Sequence, residues 1–418
     1  MRKTISLLVS LIFLFSTCCA LGEAAKNLEA DYGLVPSDTV TIPVFTEENM
    51  KQFDIPDNDA MRFMRQLQVG WNLGNTFDAF DDNNPKLGLK LESYWTNAVT
   101  SRELIHALKD AGFNLIRIPV SWHNHLIDEN YTVDPSWMAR IHEVAEWIAA
   151  EGMYFIINVH HDNGVRYFYP DTAHYEQSER YLSAIWNQIA DSFADFDEHC
   201  ILESMNEPRL VGSSHEWWLD ANAAECRDAA ECINKLNQAF VSLVRAKGGN
   251  NAERYLSVPG YCASPDGVLY SGFTIPEDSA ENRIIIEVHA YTPYNFALNK
   301  NSSDSSFDLE KDKDKKSEIS RFMNNLYQKY IANGVPVIID EFGALKKKDD
   351  DLQARVNFTA FYIASASARG ITCCWWDNHG FSPSGERFGI INRNKIVWVY
   401  PDIALALIQN SLFNRESE

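Results

Sequence analysis

Apolar residues along this chain fall into two alternating patterns. Short runs rich in β-branched and aromatic residues alternate with longer stretches in which apolar positions recur every three or four residues. Eight short runs stand out, at residues 68–76, 113–122, 154–161, 200–206, 254–261, 283–291, 336–342 and 371–377. A near-continuous apolar run suits a strand covered on both faces, and strands separated by amphipathic helices form βα units around a parallel sheet. Eight such units predict an α/β fold closed into a (β/α)₈ TIM barrel.

Two helices carry clear punctuation. Thr100 with Glu103 can form a capping box before Leu104, Ile105 and Leu108, and Gly112 can supply the left-handed residue that ends the helix. Asp134-Pro135 can cap and open a helix whose apolar stripe is Met138, Ile141, Val144, Ala145 and Ile148, closed by Gly152. Two stretches interrupt the pattern: residues 300–316, dense in Ser, Asp and Lys, and residues 346–351. Both read as solvated loops, the first as a mobile insertion after strand six.

The N-terminus follows neither pattern. Met1-Arg2-Lys3, an apolar run over residues 5–15 and small residues around Cys18, Cys19 and Ala20 make the layout of an export signal, and the run is short for a membrane span. Residues 1–22 therefore read as a signal peptide, with cleavage after Ala20 or Gly22, or with a lipid anchor at Cys18 as the alternative. Residues 23–60, mixing Glu, Asp, Pro and Thr, read as a leader and approach segment, and residues 61–412 as the catalytic domain. A secreted, extracellular monomer is expected, with no membrane association beyond that lipid.

Composition narrows the partners. With 45% hydrophobic and 23% charged residues the chain is a globular protein able to bury a large core. A net charge of −21 opposes a phosphate backbone, so nucleic acid is not an expected partner, whereas a neutral polysaccharide meets no such repulsion. Cys200, Cys226, Cys232, Cys262, Cys373 and Cys374 lack the spacing of a disulfide scaffold or zinc module. Cys226 with Cys232 either pair or stand as buried thiols.

Catalytic groups of such barrels sit at the C-terminal strand ends. Here those ends carry Asn72 to Asn75, Arg117, His160-His161, Asn206-Glu207, His289 with Tyr291, Glu341 and Trp375-Trp376. Glu207 and Glu341 close two strongly apolar strands, and a carboxyl pair is what glycosidic hydrolysis needs: one protonates the departing oxygen, the other attacks the anomeric carbon or activates water. Asp340 and Glu203 fall out of phase or sit deeper and read as structural partners. Arg117 can bond the nucleophile and keep it ionised. His289 and Tyr291, two apart on a strand, share a face, so Tyr291 can hold Glu341 while His289 bonds Glu207 or lines the cleft. Asn206 can reach a sugar 2-hydroxyl.

These residues, taken in order, resemble glycoside hydrolase family 5, the former cellulase family A. The motifs are Gly70-Trp71-Asn72-Leu73-Gly74-Asn75-Thr76, Arg117-Ile118-Pro119-Val120, Asn206-Glu207-Pro208, His289-Ala290-Tyr291 and Glu341-Phe342-Gly343-Ala344, over residues 62–410. The opening segment and Trp375-Trp376-Asp377-Asn378 look most like subfamily 4, whose members cleave cellulose, mixed-linkage β-glucan and often xyloglucan. The resemblance implies double displacement, with Glu207 as acid/base and Glu341 as nucleophile. It also implies that Arg117, His160, Asn206, His289, Tyr291 and Trp376 line the catalytic cleft. Two departures from the family pattern are Asp340, where a smaller residue is usual, and Lys346-Lys347-Lys348.

Other readings compete at particular positions. His160-His161 with Asp162 or Asp377 could ligate a metal, but neighbouring strand residues point to opposite faces, so no metal or other cofactor is expected. Trp122 and Trp376 read as sugar platforms, with Asn72 and His161 as further substrate contacts; Trp217 and Trp218 read equally as platforms or surface residues. His123 and His125 line a distal sugar site or are exposed structural residues. The expected partner is a β-glucan chain. A mannanase or dedicated xyloglucanase on the same machinery, and an idle carbohydrate-binding protein on a hydrolase scaffold, are the alternatives.

Overall fold

A computed structural model describes residues 33–84 and 86–411, so the signal-peptide reading and Cys18 lie outside the described residues. Each of the eight apolar runs contains one strand: β1 Gly70–Leu73, β2 Leu115–Ile118, β3 Tyr154–Asn158, β4 Cys200–Glu203, β5 Leu256–Pro259, β6 Ile284–His289, β7 Val337–Phe342 and β8 Thr372–Asp377. All pair in parallel with their sequence neighbours, and β1 closes on β8 through Gly70 opposite Cys374 and Asn72 opposite Trp376. Helices such as Arg102–Ala111, Pro135–Ala150, Tyr175–Ser192 and Ala224–Ala246 return the chain between strands, which makes this a (β/α)₈ barrel. No described helix is long and apolar enough to cross a membrane.

The barrel interior changes character with height, and the period-2 geometry of strands makes the change legible. The lowest layer is apolar: Leu115, Ile156, Ile201, Tyr255, Ile285, Ile338 and Cys374 pack together with Phe63 and Met64 from the Asp59–Gln66 helix and with Leu67 just after it, which plug the base. Gly70 completes this layer because a Cβ there would lie 2.2 Å from Cys374 Sγ. Two residues further along each strand stand Asn72, Arg117, Asn158, Glu203, Ser257, Glu287, Asp340 and Trp376, all buried. Side chains two apart on a strand face the same way, so the apolar floor is followed by a polar layer directly beneath the upper rim.

Local signals differ from expectation in a few places. Ser101 rather than Thr100 caps the Arg102–Ala111 helix, its hydroxyl accepting from Leu104 N at 3.3 Å, while Thr100 N donates to Glu92 at 2.8 Å. Gly112 (φ 104°) ends that helix and Asp134 caps the next, as expected. The segment before residue 61 is more than an approach: Leu34, Ile42, Phe45, Met50 and Ile55 pack on the core, and Asn410 receives Phe45 N and donates to Pro43 O, both at 2.9 Å. The packed unit therefore begins well before residue 61.

The 300–316 stretch is likewise not a free insertion. Phe307 is buried against Phe296 and Phe358, Lys315 Nζ meets Asp304 Oδ1 at 2.6 Å, and Lys313–Lys329 is a helix. Residues 346–351 do form a loop, whose backbone N–H groups at Lys347 and Lys348 donate to Asp351. All six described cysteines are buried thiols, Cys226 and Cys232 among them.

At the foot of β5, Arg254 is 2% exposed and donates to four carbonyls, of Phe193, Phe196, Asp197 and Cys200, at 2.8 to 3.2 Å. It ties the end of the Tyr175–Ser192 helix to the start of β4. Arg254→Met would remove all four bonds at once, and although Phe193 O and Asp197 O keep the N–H groups of Phe196 and Cys200, we expect a loss of about 3 kcal/mol or more in denaturant unfolding. A loss below about 1 kcal/mol would contradict this clamp.

Candidate active site

Arg117, entirely buried on β2, organises the polar layer. Its Nε and Nη2 donate to both oxygens of Glu203 at 2.6 and 2.7 Å, and Nη1 donates to Glu341 Oε1 at 2.6 Å and Asn72 Oδ1 at 3.1 Å. Nη2 also reaches Asn206 Oδ1 at 2.7 Å, and Asp340 Oδ2 lies 3.6 Å from Nε. Burial works against the guanidinium charge, but Glu203, Asp340 and Glu341 outweigh it and hold the group well above its ordinary value. Asn72, expected at the substrate, is instead fully buried and donates to the carbonyls of Asp340 and Trp375, so it orients Arg117.

Strict alternation would turn one of the neighbours Asp340 and Glu341 away from the barrel axis. Both face Arg117 because the β6–β7 and β7–β8 registers slip, after Val288 on β6 and between Ile339 and Phe342 on β7. An irregularity of this kind re-aims a side chain at a sheet end. His289 on β6 then stands opposite Glu341 and bonds Glu207 Oε1 through Nδ1 at 2.9 Å. Tyr291 donates its hydroxyl to Glu341 Oε2 at 3.1 Å. A carboxylate oxygen of Glu207, one of Glu341 and a His289 ring nitrogen lie within 4.8 Å of one another.

Electrostatics in this trio follow from burial set against contact. Burial would raise the Glu207 carboxyl, but the His289 hydrogen bond and charge overturn that and bring it down to about 2. Burial likewise opposes charge on His289, yet Glu341, Asp340 and Glu207 push the imidazole up to about 10. Glu341 is raised, since burial and the Glu207 charge prevail over His289 and Arg117. These contacts favour the proton on His289 over one on Glu207.

Beneath it, burial with the Glu203 and Asp340 charges holds Glu287 well above the carboxylate range, so this group is neutral, with Oε1 3.4 Å from His289 Nε2. The sequence reading passed over Glu287. The available signal was its place two before His289, which puts both on one face of β6. Arg209 was also passed over; it donates to Glu207 O at 2.9 Å and covers Trp217 at 4.1 Å.

A groove of about 560 Å³ is lined by Trp376, His161, Trp95 and Phe381. The Trp376 and His160 rings are parallel, 5.9 Å apart, and a Cβ on Gly74 would come within 2.8 Å of the indole. Burial, then His161 and Arg117, keep His160 well below its usual value; Asn158 donates to its Nδ1 at 2.9 Å, which leaves the ring proton on Nε2. Trp375, one residue earlier, faces the core and donates to Phe388 O.

Trp122 departs from the platform reading. It is fully buried, donating to Asn158 O at 2.9 Å, so neither ring face is open to a sugar. His123 and His125 are buried as well, the latter stacked on Trp137 and lowered to about 3 by burial and by His123. Trp217 and Trp218 are 55% and 59% exposed.

The adjacent imidazoles also depart from expectation. β3 ends at Asn158, so alternation no longer separates His160 from His161, and their rings meet edge to face at 4.4 Å beside Asp78. Yet His161 Nε2 and Asp78 Oδ2 are 3.8 Å apart, wider than the roughly 3.4 Å edge of a tetrahedral zinc site. In the Glu207, His289, Glu341 group the Arg117 charge 2.6 Å from Glu341 disfavours a cation.

Comparison with known proteins agrees with this geometry. The sequence profile of the family Cellulase (glycosyl hydrolase family 5) matches residues 77–382. Endoglucanase B of Ruminococcus albus is 40% identical over 346 residues, 82% of this chain and 79% of that protein. Endoglucanase 1 of the same organism is 38% identical over 382 residues, 91% of this chain and 87% of that protein. Among solved structures, a GH5 family lichenase from Caldicellulosiruptor sp. F32 is 47% identical with a TM-score of 0.86, covering 89% of this chain and all of that one. A GH5-4 broad specificity endoglucanase from Ruminococcus champanellensis with bound cellotriose is 38% identical with a TM-score of 0.78, covering 85% of this chain and all of that one. The chain belongs to glycosyl hydrolase family 5, as an endo-β-1,4-glucanase most like the endoglucanases of subfamily 4.

Proposed function

We propose that this endoglucanase is a secreted retaining enzyme that cleaves cellulose-type and mixed-linkage β-glucan, and xyloglucan, by double displacement. The observation that carries the retaining reading is the approach of Glu207 and Glu341 oxygens within 4.8 Å. A retaining pair stands about 5–5.5 Å apart, whereas an inverting pair leaves about 6.5–9.5 Å for a water. The charged start and apolar run of residues 1–15 support secretion. Likeness to a lichenase supports mixed-linkage substrates.

In this reading a glucosyl unit lies against Trp376, with Glu341 below its anomeric carbon. Arg117 and Tyr291 each take one oxygen of Glu341 and aim the carboxylate. Glu207 gives its proton to the departing glycosidic oxygen as Glu341 forms the glycosyl-enzyme; Glu207 then takes a proton from the water that releases the sugar. Glu207 needs a proton for the first step, and His289 holds one 2.9 Å away. Transfer from Nδ1 to Oε1 leaves a neutral imidazole over a neutral Glu287. With its Oδ1 engaged by Arg117, Asn206 offers Nδ2 to the 2-hydroxyl. His160 and His161 border the same unit.

A substrate panel of lichenan, carboxymethyl cellulose, xyloglucan and mannan, with the product anomer followed by NMR, tests the reading; an inverted anomer or activity confined to mannan would overturn it. Glu341→Ala should lower kcat by about 10³-fold or more while oligosaccharide binding persists, and undiminished turnover would remove its role as nucleophile.

Activity needs Glu341 ionised, so the acid limb of kcat/KM should lie above the ordinary glutamate range, given its raised carboxyl. The alkaline limb should follow loss of the proton on His289, toward about 10. His289→Gln should draw that limb to lower pH, because Glu207 alone then keeps the proton; an unmoved limb would refute the shared proton. Glu287→Gln, which copies a neutral carboxyl, should leave kcat/KM within about threefold, and a loss comparable to that of Glu341→Ala would mean that Glu287 works as an anion.

A further inference from the structure

Beside the catalytic groove lies a second hollow of about 330 Å³, within the usual size of small-ligand sites. Its wall carries Lys300, Lys346, Lys347, Lys348 and Arg387 and no carboxylate. In a chain with 58 acidic and 37 basic residues this clustering runs against the background. The two hollows share Ser384 and Gly385, so the basic pocket opens directly alongside the groove that holds Trp376 and His161.

The cations divide into those that build the pocket and those that face outward. Lys347 Nζ donates to Asn295 O and to Asp304 O, joining the loops after β6 and β7, and Arg387 Nη2 donates to Lys347 O at 3.1 Å. Lys346 pairs with the fully exposed Asp349 at 3.0 Å. Lys300 and Lys348 are exposed, and among the described residues no carboxylate pairs with either. Like charges gathered in a concave wall repel one another, and an anion placed among them relieves that repulsion. Nearby hydroxyls of Ser302, Ser303 and Ser384 suit a sugar ring that carries such an anion.

We propose that this pocket is a subsite for a carboxylate-bearing substituent, a uronic acid side group, on the same β-linked chain that occupies the groove. It rests on the glucanase reading above and extends it to a class of acidic, decorated glucans. A chain in the groove runs beside the shared rim, so a side group projecting from it enters the pocket while the backbone stays in place for cleavage. The pocket thereby offsets locally the repulsion that a net charge of −21 exerts on an acidic polymer.

The test compares kcat/KM on carboxymethyl cellulose, whose ether groups carry the carboxylate, with that on neutral hydroxyethyl cellulose of matched chain length. The full-length enzyme is compared with Lys300→Ala/Lys348→Ala and with a charge-matched control, Lys109→Ala/Lys235→Ala, on helices away from the rim. The pocket variant should lower the charged-to-neutral ratio by about fivefold, with hydroxyethyl cellulose unchanged, and about 0.5 M salt should erase the difference. An unchanged ratio, or an equal fall in the control, would overturn the subsite. Failure of the unaltered enzyme on both celluloses and on lichenan would instead sink the glucanase reading.

Discussion

Arg117 sits where the barrel can least afford an unpaired charge, and much of the active site depends on how it is neutralised. It has no exposed surface, and Glu203, Asp340 and Glu341 converge on it from β4 and β7. A buried cation without these partners would cost several kcal/mol, and the carboxylates without the cation would all be driven toward protonation. Each therefore fixes the state of the others. Glu203 takes the guanidinium edge in two parallel bonds, which sets the plane; Asn72 sets its far end through backbone carbonyls. What remains of the donor fork points up at Glu341 and Asn206, so the orientation of the upper groups is inherited from the layer below.

Two neighbouring acids on β7 meet this charge from different environments. Asp340 stays within the buried layer, and the slip in register lifts Glu341 to the rim, where Tyr291 holds its second oxygen. The slip between β6 and β7 sets His289 opposite Glu341 and lets it reach Glu207, so one imidazole lies against both glutamates. Close acids in a dry site cannot both be charged without a compensating group. His289 supplies it, with neutral Glu287 beneath.

Above the rim the architecture is looser in origin. The groove draws on segments after β1, β3 and β8 and the basic pocket on segments after β6, β7 and β8, and the pocket segments are tied by side-chain contacts to backbone carbonyls. Such segments can change without disturbing Arg117, which is why substrate range and catalytic chemistry can vary separately on this fold.

The strands, and the gathering of Glu207, Glu341, Arg117, His289 and Tyr291 at their ends, were legible in the chain, because each is written in short-range features: apolar runs with period-2 alternation and polar residues at their ends. Local signals failed where a contact distant in sequence decides the outcome. Trp122 and Asn72 have the right chemistry for sugar contact, but the packing of β1 and β2 against their neighbours buries both. Alternation separates His160 from His161 only while the strand lasts, and β3 ends first. Asp340 read only as a structural partner and Glu287 was not singled out; closing the barrel made them one layer around Arg117. By itself the sequence determined most of the groups that line the interior, since along a regular strand the side a residue faces follows its parity. Only the tertiary structure decided which of them reach the cleft, since that depends on register slips and neighbouring strands that no local pattern encodes.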